Sequence, residues 1–267
     1  MAPERAEAAG NTIKDISQRL QDDVIYQAPN FSGRSYRSGS NNIYFPDYME
    51  GTWDVTQTLT SVKTPLGLAY IGGPMGLVEI AEKSLAESVT QIGEPVKLRL
   101  SFVQTPFGVA EDRAANAASR LNAFAGKTVV AGVDYADLGA SNRAAMLSAG
   151  GKATDPLQTV VIRFKGPAAQ KLFVTSHGSQ TLSENAWIGY EGQQSIFVLT
   201  NASTFPPVFT DSESIYRFER NSNDDRHLSG KLRIAGYLNV QSDKLYFDAR
   251  NRAVSIQDYT LEMVKVE

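Results

Sequence analysis

The chain has no cysteine. That excludes disulfides, thiolate zinc sites, iron–sulfur clusters and cysteine nucleophiles. It leaves the redox compartment open, because a cysteine-free protein survives in any of them. Histidine is scarce, with only His177 and His227. Neither sign of charge is in excess: Lys+Arg 26 against Asp+Glu 29 leaves a net charge of −3, whereas a general nucleic-acid binder carries a basic footprint. No apolar run approaches the roughly 20 residues that a membrane-spanning helix needs. The 267 residues, 42% hydrophobic and 21% charged, have a globular rather than a disordered balance. The length suits about two average domains or one all-β barrel. Folding at this size buries roughly 70–75% of the unfolded surface, enough for one core without staples.

The N-terminal stretch is predicted to be separable from that core. Ile13, Ile16, Leu20 and Val24 recur at helical spacing within Asn11–Tyr26, and Thr12 with Asp15 fits a capping box. The stretch lacks the apolar centre of a signal peptide. Glu4, Glu7, Asp15, Asp22 and Asp23 depart from the acid-poor composition of transit peptides. Any targeting segment is therefore expected to have been removed. Pro29–Asn42 is rich in Ser, Gly, Asn and Arg and reads as an exposed linker or arm. The division that follows is an extension over 1–42 and one domain over 43–267.

From Ile43 the pattern turns to strands. Trp53, Val55 and Leu59 alternate with Asp54, Thr56 and Thr58, and Val96–Phe102 alternates in the same way. Between them Thr64–Gly76 must turn sharply, and Leu77–Gln91 carries helical spacing. Glu111–Phe124 is Ala-rich and stops at Gly126, the mark of a helix with a glycine C-terminus. Short β-branched or aromatic segments fill the rest, among them Thr128–Val133, Thr159–Lys165, Leu172–Ser176, Ala186–Glu191, Ile196–Thr200, Ser214–Glu219, Leu232–Val240, Lys244–Phe247 and Tyr259–Val266. Gly189, Gly192 and Gly236 mark bulges or corners where a sheet curls. Such a series predicts an antiparallel sandwich or barrel.

Catalytic and ligand motifs fail on inspection. Ser176 and His177 are adjacent, so on a strand they point to opposite faces and cannot serve as nucleophile and base. Gly150-Gly151-Lys152-Ala153 lacks the earlier glycine of a phosphate loop and has Ala where Ser or Thr must reach magnesium. Proline interrupts Tyr70–Gly76, which is no dinucleotide fingerprint. Asn221–Asp225 opens like a calcium loop, but Arg226 and Leu232 stand where Gly and Glu are required. Glu111 and Asp112 are accounted for by the dipole of the helix they open. Asp211, Glu213 and Glu219 with Arg217 and Arg220 read as an exposed, ion-paired face. No enzyme, metal site or cofactor is expected from these residues.

Two groups of side chains remain. Trp53, Val55, Trp187, Tyr190, Phe197 and Tyr259 fall in predicted strands and would line the interior of a closed barrel, which at about eight strands holds one small ligand. Phe31, Arg34, Tyr36, Arg37, Tyr44 and Phe45, in or beside the arm, are residue types that anchor protein interfaces.

Gly51-Thr52-Trp53 resembles the Gly-x-Trp that opens lipocalin-like (calycin-type) barrels. A longer resemblance runs over most of Phe45–Glu267. Its residues are Phe45-Pro46, Gly51-x-Trp53-x-Val55, Ser61–Gly67, Gly72-Gly73-Pro74, Glu111-Asp112-Arg113-Ala114-x-Asn116, Ser141-Asn142-Arg143 and Phe247-Asp248-Ala249-x-Asn251-Arg252-x-Val254. In this order they resemble an uncharacterised domain family of cyanobacteria, algae and plant chloroplasts. The resemblance implies a chloroplast, thylakoid-associated setting, in lumen or stroma, and no established activity. The expected fold is a mainly β, lipocalin-like antiparallel barrel with one or two α-helices and an N-terminal helix-plus-arm extension. The expected role is a non-enzymatic accessory subunit docking peripherally on a photosynthetic membrane complex. The alternative is a soluble carrier of a lipid, carotenoid or tetrapyrrole.

Overall fold

Ten strands form one antiparallel sheet in a computed structural model that describes residues 16–28, 43–105, 107–135, 159–201 and 205–266. They are β1 (Gly51–Lys63), β2 (Pro95–Thr105), β3 (Gly108–Glu111), β4 (Val130–Tyr135), β5 (Thr159–Phe164), β6 (Ala168–Ser183), β7 (Ala186–Leu199), β8 (Val208–Asn221), β9 (Asp224–Tyr237) and β10 (Ser255–Lys265). The order β3-β2-β1-β10-β9-β8-β7-β6-β5-β4 is a meander except where β1 pairs with β10. The sheet curls into a half-barrel. Its edges, β3 and β4, do not pair with each other. The helix that joins them, Arg113–Phe124, packs against β2, β4 and β5 and so bridges the two ends of the sheet. The mainly β, barrel-like expectation holds, with a helix closing the gap that a full barrel closes with hydrogen bonds.

The two faces follow from strand alternation. On β1, Trp53, Val55, Gln57 and Leu59 are buried, and across the pairs stand Leu98, Leu100 and Phe102 of β2 and Leu261 and Met263 of β10. The apolar ones among them share a core cluster with Trp187 of β7 and Phe218 of β8, strands that are not neighbours of β1. Contact across the sheet identifies this as the concave face. Phe45 seals it, with ring centroids 4.9 Å from both Phe102 and Trp187. The Trp53 indole N–H donates to the Met49 carbonyl at 2.8 Å, which satisfies the one polar atom of a fully buried ring.

The convex face carries a second core of Ile188, Tyr190, Ile215, Ala235, Tyr237 and Ile256, and Ile16, Ile25 and Ala28 cover it. The N-terminal segment 16–28 is thus packed on the sheet, contrary to the separable helix read from its spacing. Its helix, α1, is a single turn, Ile16–Arg19. After a turn at Leu20–Gln21, Tyr26 bridges Arg252 and the Ala253 N–H donates to the Ile25 carbonyl at 2.7 Å. Two further helices are α2 (Val78–Thr90) and α3 (Arg113–Phe124). The predicted strand Lys244–Phe247 is instead a turn leading into the four-residue α4 (Tyr246–Ala249). Arg250 and Asn251 follow with φ of 52° and 58°, left-handed conformations that end the helix. Among the described residues no helix is long and apolar enough to cross a membrane.

Candidate functional site

α3 begins where β3 ends, so Glu111 and Arg113 enter the interior from either side of the cap residue Asp112. The Asp112 carboxylate accepts from the Ala115 N–H at 3.2 Å and from the Tyr135 hydroxyl at 3.1 Å, which ties the helix start to β4. One turn on, fully buried Asn116 locks α3 to β2. Its side chain accepts from the Ser101 N–H at 2.7 Å, donates to the Ser101 carbonyl at 3.0 Å and donates to Glu111 at 3.0 Å. Arg120, a further turn along, donates to Glu111. Arg113 reaches across to β7 and grips Glu191 with two bonds, at 2.6 and 2.5 Å. Gln193, two residues on and on the same face, donates to Glu191 at 2.7 Å.

Two carboxylates and two guanidiniums therefore sit together inside the curl, with Glu191 2% exposed and Glu111 and Arg113 each 7% exposed. Burial alone would raise the Glu111 pKa, but Arg120 and Arg113, with hydrogen bonds from Arg120 and Asn116, hold it below the ordinary carboxylate value. His177 stands directly across the β6–β7 ladder from Glu191. Its pKa is lowered by burial, the Glu191 charge notwithstanding. Burial pushes the nearby Tyr216 hydroxyl up to about 12. The two carboxylates and two guanidiniums of this set balance one another inside the curl.

Beside this network lies a cavity of about 200 Å³ between α3 and β5, β6 and β7. Val160, Ile162, Leu172, Val174, Ala117 and Leu121 form its apolar walls, and Arg120, Gln170 and Gln193 stand among its polar lining.

A family model, Domain of unknown function (DUF6816), matches residues 37–267, most of the chain and all of the sheet. The chain belongs to the DUF6816 family. No curated protein and no solved structure matches it.

In this DUF6816 domain the residues singled out from sequence are dispersed. Trp53, Val55, Trp187 and Tyr259 belong to the concave core, and none of them borders the cavity. Tyr190 faces the other way, under the N-terminal segment, with the Arg19 guanidinium 5.9 Å from its ring centroid. Phe197 is partly exposed and packs 6.2 Å from Phe164. Tyr44 is half-buried and lies 6.5 Å from Phe107. Phe45 is a core residue and is not available on an exposed arm. Phe31, Arg34, Tyr36 and Arg37 lie outside the described residues.

Two readings of acidic residues are corrected. Glu111 is a buried member of the interior network and not only a helix-dipole partner. Glu213, placed on an exposed face from its sequence neighbours, is 1% exposed, held by Arg19 and by the Tyr237 hydroxyl, which donates at 2.9 Å. The signal for Glu191 was present, since it alternates in phase with Trp187 and Gly189. A charge at a core-facing position of a strand is a residue with a buried partner.

The molecule also leaves an apolar shoulder uncovered. α2 packs mainly on the 3₁₀ turn Leu68–Ile71 and on β1, and its single buried residue is Ala81. Leu77, Val78, Ile80, Val89 and Ile92 are 42–52% exposed, and Met75 56%. The Lys244 N–H donates to the Pro74 carbonyl at 3.1 Å, which brings in the neighbouring turn carrying Phe247, exposed by 77%.

Proposed function

We propose that this domain is a non-enzymatic accessory subunit that docks peripherally on a photosynthetic membrane complex, with the apolar shoulder of α2 and α4 as the part of its barrel surface that makes contact. The observation that carries this reading is the shoulder. Several large apolar side chains left exposed on one short helix and its flanking turns, on an otherwise well-packed protein, mark an interaction site. The fully paired charges of the interior agree with a role that needs no chemistry. Around the shoulder Glu79, Glu82, Glu87, Asp243 and Asp248 outnumber Lys83, Lys244 and Arg250, so the complementary partner surface is apolar with a net basic rim. The chloroplast and thylakoid setting rests on the sequence resemblance alone, and the arm residues Phe31, Arg34, Tyr36 and Arg37 add a second contact to the same partner. The carrier alternative draws less support. The aromatic core fills the concave face, and the cavity falls below the roughly 300–1,000 Å³ of ordinary ligand pockets, too small for a carotenoid or a tetrapyrrole.

The test is native electrophoresis of gently solubilised thylakoids carrying either the wild-type chain or a Leu77→Ser/Ile80→Ser/Phe247→Ser variant. These are surface positions, so stability should change by no more than about 0.5 kcal/mol per substitution. Co-migration with a pigment–protein assembly should be lost in the variant while its melting curve is kept. Undiminished co-migration would sink the shoulder as the docking face. Absence of the wild-type chain from every large assembly would sink the subunit reading as a whole. Replacing Phe31, Arg34, Tyr36 and Arg37 by Ser measures the arm's share.

A further inference from the structure

We propose that the cavity beneath α3 is a binding site for a small uncharged molecule, one apolar ring or branched chain bearing a single hydroxyl or amide-type group. This stands independently of the docking proposal, which uses a different surface.

Size sets the first limit. A cavity of about 150 Å³ with apolar walls is enough to take up benzene. The 200 Å³ here accommodates a ring with a short polar substituent, about eight to ten non-hydrogen atoms on that scale. Chemistry of the walls sets the second. Val160 and Ile162 of β5, Leu172 and Val174 of β6, and Ala117 and Leu121 of α3 line the apolar part.

The polar lining offers donors and acceptors together. The Gln170 amide nitrogen donates to Ser195 at 2.9 Å, and that of Gln193 donates to Glu191. Each amide is thereby oriented, and its carbonyl oxygen is left as an acceptor. Arg120 commits one hydrogen bond to Glu111 out of five N–H donors. A hydroxyl or amide, which both donates and accepts, matches this pair of functions.

Charge sets the third limit. Glu111 and Glu191 balance Arg113 and Arg120, and Asn116 and Gln193 complete the bonds of the carboxylates. An ionised ligand would unbalance this already neutral set and lay its charge against apolar walls, where an uncompensated charge is costly. The site therefore selects neutral molecules, although two arginines line it.

The experiment is a titration of the full chain at pH 7 with three probes of one shape, benzyl alcohol, benzoate and benzylammonium, followed by calorimetry and by methyl-detected NMR. Benzyl alcohol should bind with a dissociation constant on the order of 1 mM, as suits a ligand of this size. Both ions should bind at least about tenfold more weakly. Nuclear Overhauser contacts should connect the benzyl ring to the methyls of Val160, Ile162 and Leu172. Leu172→Trp and Ala117→Phe fill the space, and whichever remains folded by circular dichroism should lose binding by about tenfold or more. The proposal is overturned by benzoate or benzylammonium binding as tightly as the alcohol, by unchanged binding to a folded filled variant, by ring contacts elsewhere, or by no uptake of the alcohol near its solubility limit.

Discussion

Two carboxylates at opposite faces of one sheet, both withdrawn from water, end with their pKa values shifted in opposite directions. Glu111, on the concave side, has its pKa lowered although burial pushes it up, because Arg120, Arg113 and Asn116 all converge on it. Glu213, on the convex side, has its pKa raised: burial dominates, and Arg19 and Tyr237 only partly offset it. Desolvation is similar at both, so the partners decide the sign. The partners also differ in how they are held. Those of Glu111 come from α3, anchored at its cap by Tyr135 and at its first turn by Asn116. Arg19 comes from a single helical turn near the start of the described chain, tied down by Arg233, which donates to the carbonyls of Arg19 and Asp22 at 3.0 and 2.8 Å. The concave cluster thus closes the half-barrel, and the convex one fastens a strap.

The comparison is tested most severely at Arg113. Arg113→Met removes the two-bond grip on Glu191 and one of the two positive charges beside Glu111, leaving a buried carboxylate without compensation. The expected loss is about 3–5 kcal/mol of unfolding free energy, measured by urea titration. Arg113→Met combined with Glu191→Met should recover most of that loss, because a buried pair can often be replaced by apolar side chains at little cost. Strict additivity of the two substitutions would show that the pair is uncoupled and would remove the basis for a fold-closing role.

Glycine 189 probes the packing of the same face. A Cβ there would stand 2.4 Å from the Trp187 ring and 2.8 Å from Ile43 Cδ1, so Gly189→Ala forces the aromatic core to move. A destabilisation of about 1–3 kcal/mol is expected, read as a fall in the urea midpoint at constant slope. Gly166→Ala, with open space around its added methyl, is the control. A Gly189 variant as stable as that control would mean a loosely filled interior and would reopen the carrier alternative.

Much of this arrangement was legible in the chain and part of it was not, for definable reasons. β1 and β2 announce themselves because each has one buried and one wetter face, and α2 and α3 because their apolar spacing and flanking turns agree. β6 was legible only over Leu172–Ser176, because Gln170, His177, Gly178 and Gln180 carry no strand preference. Its full length is dictated by pairing with β7. The N-terminal strap was misread because Ile13 to Val24 has helical period, whereas Val24 is exposed and Ile25 and Ala28 do the covering. At the site, Glu111, Arg113 and Asn116 stood out as a motif, but their partner Glu191 lies 78 residues beyond Arg113. No local spacing encodes a contact of that range, and only the curl of the sheet creates it.

The smallest expected effect is the most direct test of the opposed carboxylates. Glu213 holds a proton more tightly when folded than when unfolded, since its folded pKa is raised above the ordinary 4.5. Its contribution is therefore fully present below the unfolded pKa and is lost as pH rises through the raised folded value. For Glu111 the sign reverses: its contribution is present above the unfolded pKa and is lost as pH falls through the depressed folded value. Glu213→Gln keeps the shape and can still accept from Arg19 and Tyr237, so stability near neutrality should change by only about 1 kcal/mol, the scale of a single hydrogen bond. The decisive quantity is the difference from wild type measured by urea unfolding across acid to neutral pH. Relative to Glu213→Gln the wild type should gain stability as pH falls, and relative to Glu111→Gln it should lose it. Two difference curves of the same slope would mean that burial, and not the set of partners, governs both residues.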